Sequence, residues 1–275
     1  MNEKTRELLI KTRRRLFGPN VGNNISAFKG NGIDFAELKE YSYGDDVRKI
    51  NWKVTARQQK PYVNVFNEER ELNIVIVFMV SGTIYFGSVR QKQEVMAEIL
   101  ALLGFSAIKN SDRVSAHFFA EKELFFFKPT KSQKSVYAMV EYALNSDVLG
   151  LNVDMDSLAD FLLNSIKERS ILLLIGDFFQ RADLSFLAAK HELYAIIVRD
   201  PFEEEPKIFG EYRFKDPVTE NETVLEVDEN SIDEYKRALG EHDEALFDHF
   251  RKHNIPFTKI YTSEDPFIKL RELLK

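Results

Sequence analysis

Cysteine is absent from the 275 residues of the chain. Disulfide scaffolds, zinc–thiolate centres and cysteine nucleophiles are therefore excluded, and the composition fits a reducing compartment. Long apolar runs are missing as well. The longest clean one, from Ile74 to Val80, falls far short of the roughly 20 residues a helix needs to cross a bilayer. The opening MNEKTRELLIKTRRRLFG carries lysines and arginines but no apolar stretch of signal-peptide length. No membrane span is expected, and the expected location is cytoplasmic. Two catalytic signatures are also lacking: a glycine-rich phosphate loop with its lysine, and a Gly-x-Ser-x-Gly nucleophile elbow.

What remains is an ordinary globular balance, 44% hydrophobic and 30% charged, enough to bury a sizeable core. The net charge of −6 is uneven. Residues 1–70 hold 14 Lys/Arg against 9 Asp/Glu, and the remainder holds 24 against 35. An acidic body argues against nucleic-acid binding. The Arg13-Arg14-Arg15 run reads as a solvated helix end.

Periodicity divides the chain. Residues 3–17 place Leu8, Leu9, Thr12 and Leu16 near one helical face, and Gly18-Pro19-Asn20 stops the pattern. Residues 18–60 have weak periodicity and read as loops and short strands, with Phe28, Phe35, Tyr41 and Trp52 covering apolar surface. Tyr62–Phe66 alternates like a strand. From residue 72 the pattern becomes regular. Buried strands are expected over 72–80, 171–175 and 194–198, a strand pair over 114–119 and 123–127 ended by Pro129, and a last strand over 258–262. Helices are expected over 88–109, 132–144, 157–168, 182–190, 228–253 and 265–274. Ser157 with Asp160 resembles a helix cap. Residues 200–206 read as a charged turn, and 208–214 pairs with 223–227 as a hairpin. Short apolar strands alternating with helices predict an α/β protein, a mostly parallel sheet with helices on both faces. An N-terminal loop- and strand-rich extension, residues 1–70, precedes the main domain, 71–275. Function in such a sheet gathers beyond the C-terminal strand ends, which points to the loops 80–83 and 176–179.

Residues 30–69 carry the most specific pattern: Gly30, Gly32, Asp34, Phe35, Glu40, Tyr41, Gly44, Asp45, Asp46, Arg48, Trp52, Ala56, Arg57 and Glu69. This run resembles the signature of the bacterial family known as domain of unknown function 58. The resemblance implies a von Willebrand factor A-like, Rossmann-like domain after the signature. Such domains hold a divalent cation through an Asp-x-Ser-x-Ser loop at the end of the first strand, with a threonine and an aspartate from two other loops. Here Met79 stands where the first aspartate belongs. Ser81 and Thr83 keep the hydroxyls, Asp177 matches the later aspartate, and Thr130 is a loose match for the threonine. A thioether is a poor donor for a hard cation. The expectation is a degenerate metal site with no cofactor, and weak magnesium binding at most.

Blander readings stand beside these. Ser81-Gly82-Thr83 also fits a strand-to-helix turn, and Asp177 a turn residue or cap. Gly44-Asp45-Asp46 fits a tight turn in which Asp45 or Asp46 pairs with Arg48 or Arg57, with Trp52 as apolar anchor. His249 and His253, one helical turn apart and seven or more residues beyond His242, lack the neighbouring glutamate of a zinc motif and read as an exposed helix face.

Two functions follow. The resemblance implies a non-enzymatic adaptor that works with a MoxR-type AAA+ ATPase in a chaperone-like or assembly role. The alternative is a hydrolytic or phosphoryl-transfer enzyme using Asp34, Asp45, Asp46 and Asp177 with Arg48 and Arg57.

Overall fold

The computed structural model describes residues 3–17, 35–66, 71–181 and 183–274. The expected positions Gly30, Gly32 and Asp34 lie outside the described residues. The described chain forms two compact units, one containing residues 3–17 and 73–274 and the other residues 35–72.

The larger unit is built on six strands: β3 (Asn73–Met79), β4 (Arg113–Phe119), β5 (Glu123–Thr130), β6 (Ile171–Gly176), β7 (Glu192–Arg199) and β10 (Phe257–Tyr261). They lie in the order β10-β7-β6-β3-β4-β5. All neighbours are parallel except β5, which returns antiparallel beside β4. β3 is central, and six of its seven residues are buried. Both faces of such a strand are covered, so its six buried side chains, Ile74 to Met79, are all apolar instead of alternating.

Alternate residues of β3 serve the two faces. Val75, Val77 and Met79 join a core with Leu158 and Leu162 of α5 (Met155–Ser165), Leu187 of α6 (Ser185–Lys190), and Leu246 and Phe250 of α8 (Glu229–Lys252). On the opposite face, Phe78 meets Phe118 with ring centroids 5.1 Å apart. Phe118 in turn meets Tyr142 of α4 (Gln133–Asn145) at 4.6 Å. This face also carries α3 (Lys92–Lys109), buried at nearly every position from Lys92 to Ala107. A helix can be apolar all round only where other helices cover it. Here α1 (Glu3–Phe17), α4 and α9 (Pro266–Leu273) do so. α1 buries Thr5, Leu9, Thr12 and Leu16, one stripe at helical spacing. Ion pairs from Lys11 to Glu98 and from Arg15 to Asp265 fasten it. The first helix thus packs with the sheet unit, while the expected extension 1–70 grouped it with the signature.

Several expectations change in detail. The helix expected over 157–168 begins at Met155 because Asp154, not Ser157, caps it, accepting from the backbone N–H groups of Asp156 and Ser157. Pro129 does not end β5, since an edge strand tolerates a residue without an N–H. The charged turn contains a single helical turn, α7 (Pro201–Glu204), capped by buried Asp200. The hairpin forms as β8 (Gly210–Lys215) and β9 (Glu222–Val227).

In the smaller unit, β1 (Phe35–Glu40) pairs antiparallel with β2 (Tyr62–Phe66). Between them lies α2 (Trp52–Gln58), a helix where only loops and short strands were expected. Asn51 caps α2, accepting from the Val54 N–H at 3.2 Å. Its own amide donates to Asn64 of β2 at 3.0 Å.

Leu174 is fully buried on β6. Leu174→Ala is expected to destabilise the larger unit by about 3 kcal/mol, the usual effect of a large-to-small change in a packed core, read from urea unfolding.

Candidate functional site at the sheet's C-terminal edge

Three loops meet where β3 and β6 end. After β3 the chain turns through Ser81 into a 3₁₀ turn, Gly82–Tyr85. The Gly82 N–H donates to the Leu151 carbonyl, and the Gly150 N–H donates to the Pro217 carbonyl at the hairpin tip. A Cβ on Gly82 would lie 1.9 Å from that same Pro217 oxygen, so only glycine lets the loops close together. They enclose a cavity of about 200 Å³ lined by Met79, Ser81, Thr83, Asn152, Asp177 and Gln180, among others.

Of the four rim residues read from the sequence, Ser81, Thr83 and Asp177 form one hydrogen-bonded chain. The Ser81 and Thr83 hydroxyls are 2.9 Å apart, and the Thr83 hydroxyl donates to Asp177 Oδ2. Ser81 Oγ also accepts from the Thr83 backbone N–H at 3.3 Å, which caps the 3₁₀ turn. Met79 lines the same cavity but belongs to the apolar core, 3% exposed. Its thioether lies across Gly176, where a Cβ would meet Met79 Cε at 1.9 Å. Thr130 is remote. It pairs with Val114 at the start of β4, the opposite end of the sheet from Met79, which pairs with Phe119.

Lys92, Glu203, Asn152 and Gln180 were not foreseen. Lys92, the first residue of α3, is fully buried. Its Nζ donates to Asp177 Oδ2 at 3.1 Å and to Glu203 Oε1 at 2.6 Å. Glu203 is on α7, where Oε2 accepts from the Asp200 N–H at 2.8 Å. Gln180 donates to Asn152 Oδ1 at 2.8 Å across the rim. Phe179 roofs the cluster, with Lys92 Nζ 4.8 Å and the Arg199 guanidinium carbon 3.7 Å from its ring centre. Phe178 holds the loop in a left-handed backbone, φ 52°, a conformation that costs a bulky residue about 1–2 kcal/mol. Its carbonyl receives His242 Nε2 at 2.8 Å. The expected exposed histidine face is thus corrected: His242 braces the site loop, and His249 Nε2 accepts from the Leu184 N–H at 3.1 Å.

Burial dominates Glu203. It pushes the carboxyl above the usual 4.5, against the opposing pull of Lys92.

The donor set does not fit a hard divalent cation. Magnesium requires oxygen ligands with carboxylate charge in near-octahedral array. Here a thioether faces the cavity, one oxygen of the Asp177 carboxylate is bonded to both Thr83 and Lys92, and among the described residues no group of three His, Cys, Asp or Glu is placed to hold a metal.

In the smaller unit the signature residues build local turns. Gly44 adopts φ 106°, which favours glycine. Asp45 accepts from the Ser42 N–H at 2.8 Å and pairs with Lys39 at 3.3 Å. Asp46 caps the 3₁₀ turn Val47–Lys49 and pairs with Arg48 at 3.1 Å. The Tyr41 N–H donates to the Pro61 carbonyl. Arg57 is exposed in the last turn of α2. Trp52 corrects an expectation, since it is 71% exposed instead of serving as an anchor.

These features define a mixed α/β protein with a mainly parallel six-stranded sheet and a closed polar cluster at its C-terminal edge. Residues 37–245 match the family described as protein of unknown function DUF58, and the chain belongs to that family. An uncharacterized protein of Mycobacterium bovis is 24% identical over 269 residues, covering 95% of this chain and 84% of its own. A Mycobacterium tuberculosis protein, also called uncharacterized, matches to the same extent. Among solved structures, the conserved hypothetical protein BatB from Bacteroides thetaiotaomicron is similar at TM-score 0.47 and 11% identity, over 74% of this chain and 97% of that one. An aerotolerance-related membrane protein from Bacteroides fragilis gives 0.45 and 11%, over 74% and 98%.

A glutamic acid whose pKa is raised on folding binds its proton more tightly in the folded state, so stability is greatest at low pH. It is lost as pH rises from the unfolded value near 4.5 through the higher folded value. Glu203→Gln is expected to flatten that part of the stability–pH curve. Parallel slopes for the two proteins, from urea midpoints across this window, would contradict the assignment.

Proposed function

We propose that the protein is a non-enzymatic binding module that acts in the cytoplasm with a MoxR-type AAA+ ATPase, in a chaperone-like or assembly role. The partner surface is the rim of the strand-end cavity, with Ser81, Thr83, Asn152 and Gln180 at its mouth. One observation carries this reading. The groups that a catalytic site would hold ready are bonded to one another: the Ser81 and Thr83 hydroxyls to each other, Thr83 to Asp177, and Asp177 to Lys92. A hydroxyl that donates to a carboxylate already engaged by an ammonium is not an activated nucleophile, because activation requires a free base within reach. What the arrangement provides is a shaped, rigid polar surface around a small cavity.

The ATPase as partner rests on what the resemblance of the signature segment implies, and protein over nucleic acid as ligand rests on the acidic composition of the body. No described helix is long and apolar enough to cross a membrane, which accords with a working place outside the bilayer.

Co-purification with a MoxR-type ATPase tests the reading. Wild-type protein is expected to retain the ATPase. Gln180→Arg combined with Asn152→Ala, chosen to alter the rim while leaving Ser81, Thr83 and the Lys92 cluster in place, is expected to lower retention at least about tenfold, the loss of roughly 1.4 kcal/mol. Equal retention by a variant with an unchanged circular dichroism spectrum would place the contact elsewhere, and no retention by the wild type would reject the partner.

A further inference from the structure

Lys92 is hard to explain as a helix residue. It opens α3, and its N-cap, Gln91, makes no side-chain capping bond. A helix N-terminus carries positive partial charge, so an ammonium there is unfavourable to the helix itself. Lysine is also rarely fully buried unless paired, and this side chain is 0% exposed. Its environment accounts for the placement. Asp177 Oδ2 lies at 3.1 Å, Glu203 Oε1 at 2.6 Å, and the face of Phe179 at 4.8 Å from the ring centre. An ammonium has three N–H donors. Two carboxylates and a π face occupy its surroundings, with no direction left facing solvent.

The oxygen that Lys92 reaches, Asp177 Oδ2, is the one to which Thr83 donates and through which Ser81 is linked. We infer that Lys92 is a covalently tethered replacement for a divalent ion. Its single positive charge draws Asp177 and Glu203 together, and Thr83 and Ser81 join through the Asp177 oxygen it binds, the task a bound cation performs when carboxylate and hydroxyl oxygens come from separate loops. Met79 fits the same account from the other side. With an ammonium supplying one charge instead of two, a further carboxylate at position 79 would be an uncompensated buried charge, and a core thioether packed on Gly176 is tolerated instead.

Two consequences follow. A divalent ion bound at Asp177 Oδ2 would lie beside the ammonium already bonded to that oxygen and be repelled by it. The tethered charge also offers nothing to an incoming acidic side chain, since no face of it is exposed. This inference concerns the ion and holds whether or not the ATPase is the partner.

The test needs no partner. In the full chain labelled with ¹⁵N-lysine, Lys92 is expected to give a slowly exchanging ammonium resonance, identified by its loss in Lys92→Arg and unmoved by millimolar magnesium. Calorimetry of the wild type with magnesium is expected to show no binding heat. A magnesium-induced shift of that resonance, or the fast exchange of a solvent-exposed lysine in its place, would overturn the inference. A gain-of-function pair reads the same point independently. Met79→Asp alone is expected to remain silent towards magnesium, while Met79→Asp/Lys92→Gln binds it at least about 100-fold more tightly than wild type, as affinity follows ligand charge. Equal magnesium binding by the single and double variants would show that Lys92 does not occupy the ion's place. If the double variant does not fold, the resonance of the unaltered chain decides.

Discussion

The ammonium of Lys92, held between Asp177 and Glu203, ties together the parts of the molecule that matter most. Its three anchors come from different stretches of the fold: the start of α3, the loop after β6 and the short helix after β7. A buried ion pair of this kind adds little net stability, because desolvating the charges offsets their attraction. It is demanding about geometry, however. Each carboxylate must be brought to the ammonium and the rest of its hydrogen-bonding capacity met. Thr83 adds a second bond to the Asp177 oxygen that Lys92 binds, and the Asp200 N–H satisfies the other oxygen of Glu203. The network continues outward. Arg199 stacks on Phe179 and bonds Asp243, which Lys259 joins to Glu204. The end of the sheet is thus organised by alternating charges under an aromatic roof.

Much of the fold was legible in the sequence, for a simple reason. β3, β6 and β7 are buried on both faces, and burial on both faces leaves an uninterrupted apolar run. The helices between them show their spacing because one stripe meets the sheet. α2 was missed because it is two turns long and owes its start to an Asn51 cap whose other contact, Asn64, lies 13 residues away. The cap itself, Asn51 to Val54, is local, but a helix this short leaves too little periodicity to read. The edge strand β5 ran through Pro129 because edge position, unlike composition, is a property of the assembled sheet.

The site divides along the same line. Met79, Ser81, Thr83 and Asp177 could be found because loops at strand ends occupy predictable places in a parallel sheet. Lys92 and Glu203 could not. Lys92 falls in a segment whose helical spacing is carried by its apolar neighbours, and Glu203 sits in a run of three glutamates that reads as solvated surface. Only the tertiary structure shows that these two charges meet, with Asp177 as the second partner of the ammonium. Thr130 was the reverse case: a plausible hydroxyl at the wrong end of the sheet, since β5 runs opposite to its neighbours. The signature of the smaller unit proved to be turn chemistry, with Gly44, Asp45 and Asp46 each closing a backbone group near at hand.

The contact between Gly82 and Pro217 gives the hairpin of β8 and β9 a meaning beyond its own strands. Its strands stand out in solvent, with Phe214, Val224 and Leu225 exposed, while its tip is wedged against the loop that carries Ser81. The two cannot be displaced separately. A lever whose handle is the exposed ribbon and whose fulcrum is a bare backbone contact would pass any tug on the ribbon straight to the hydroxyl chain beneath it.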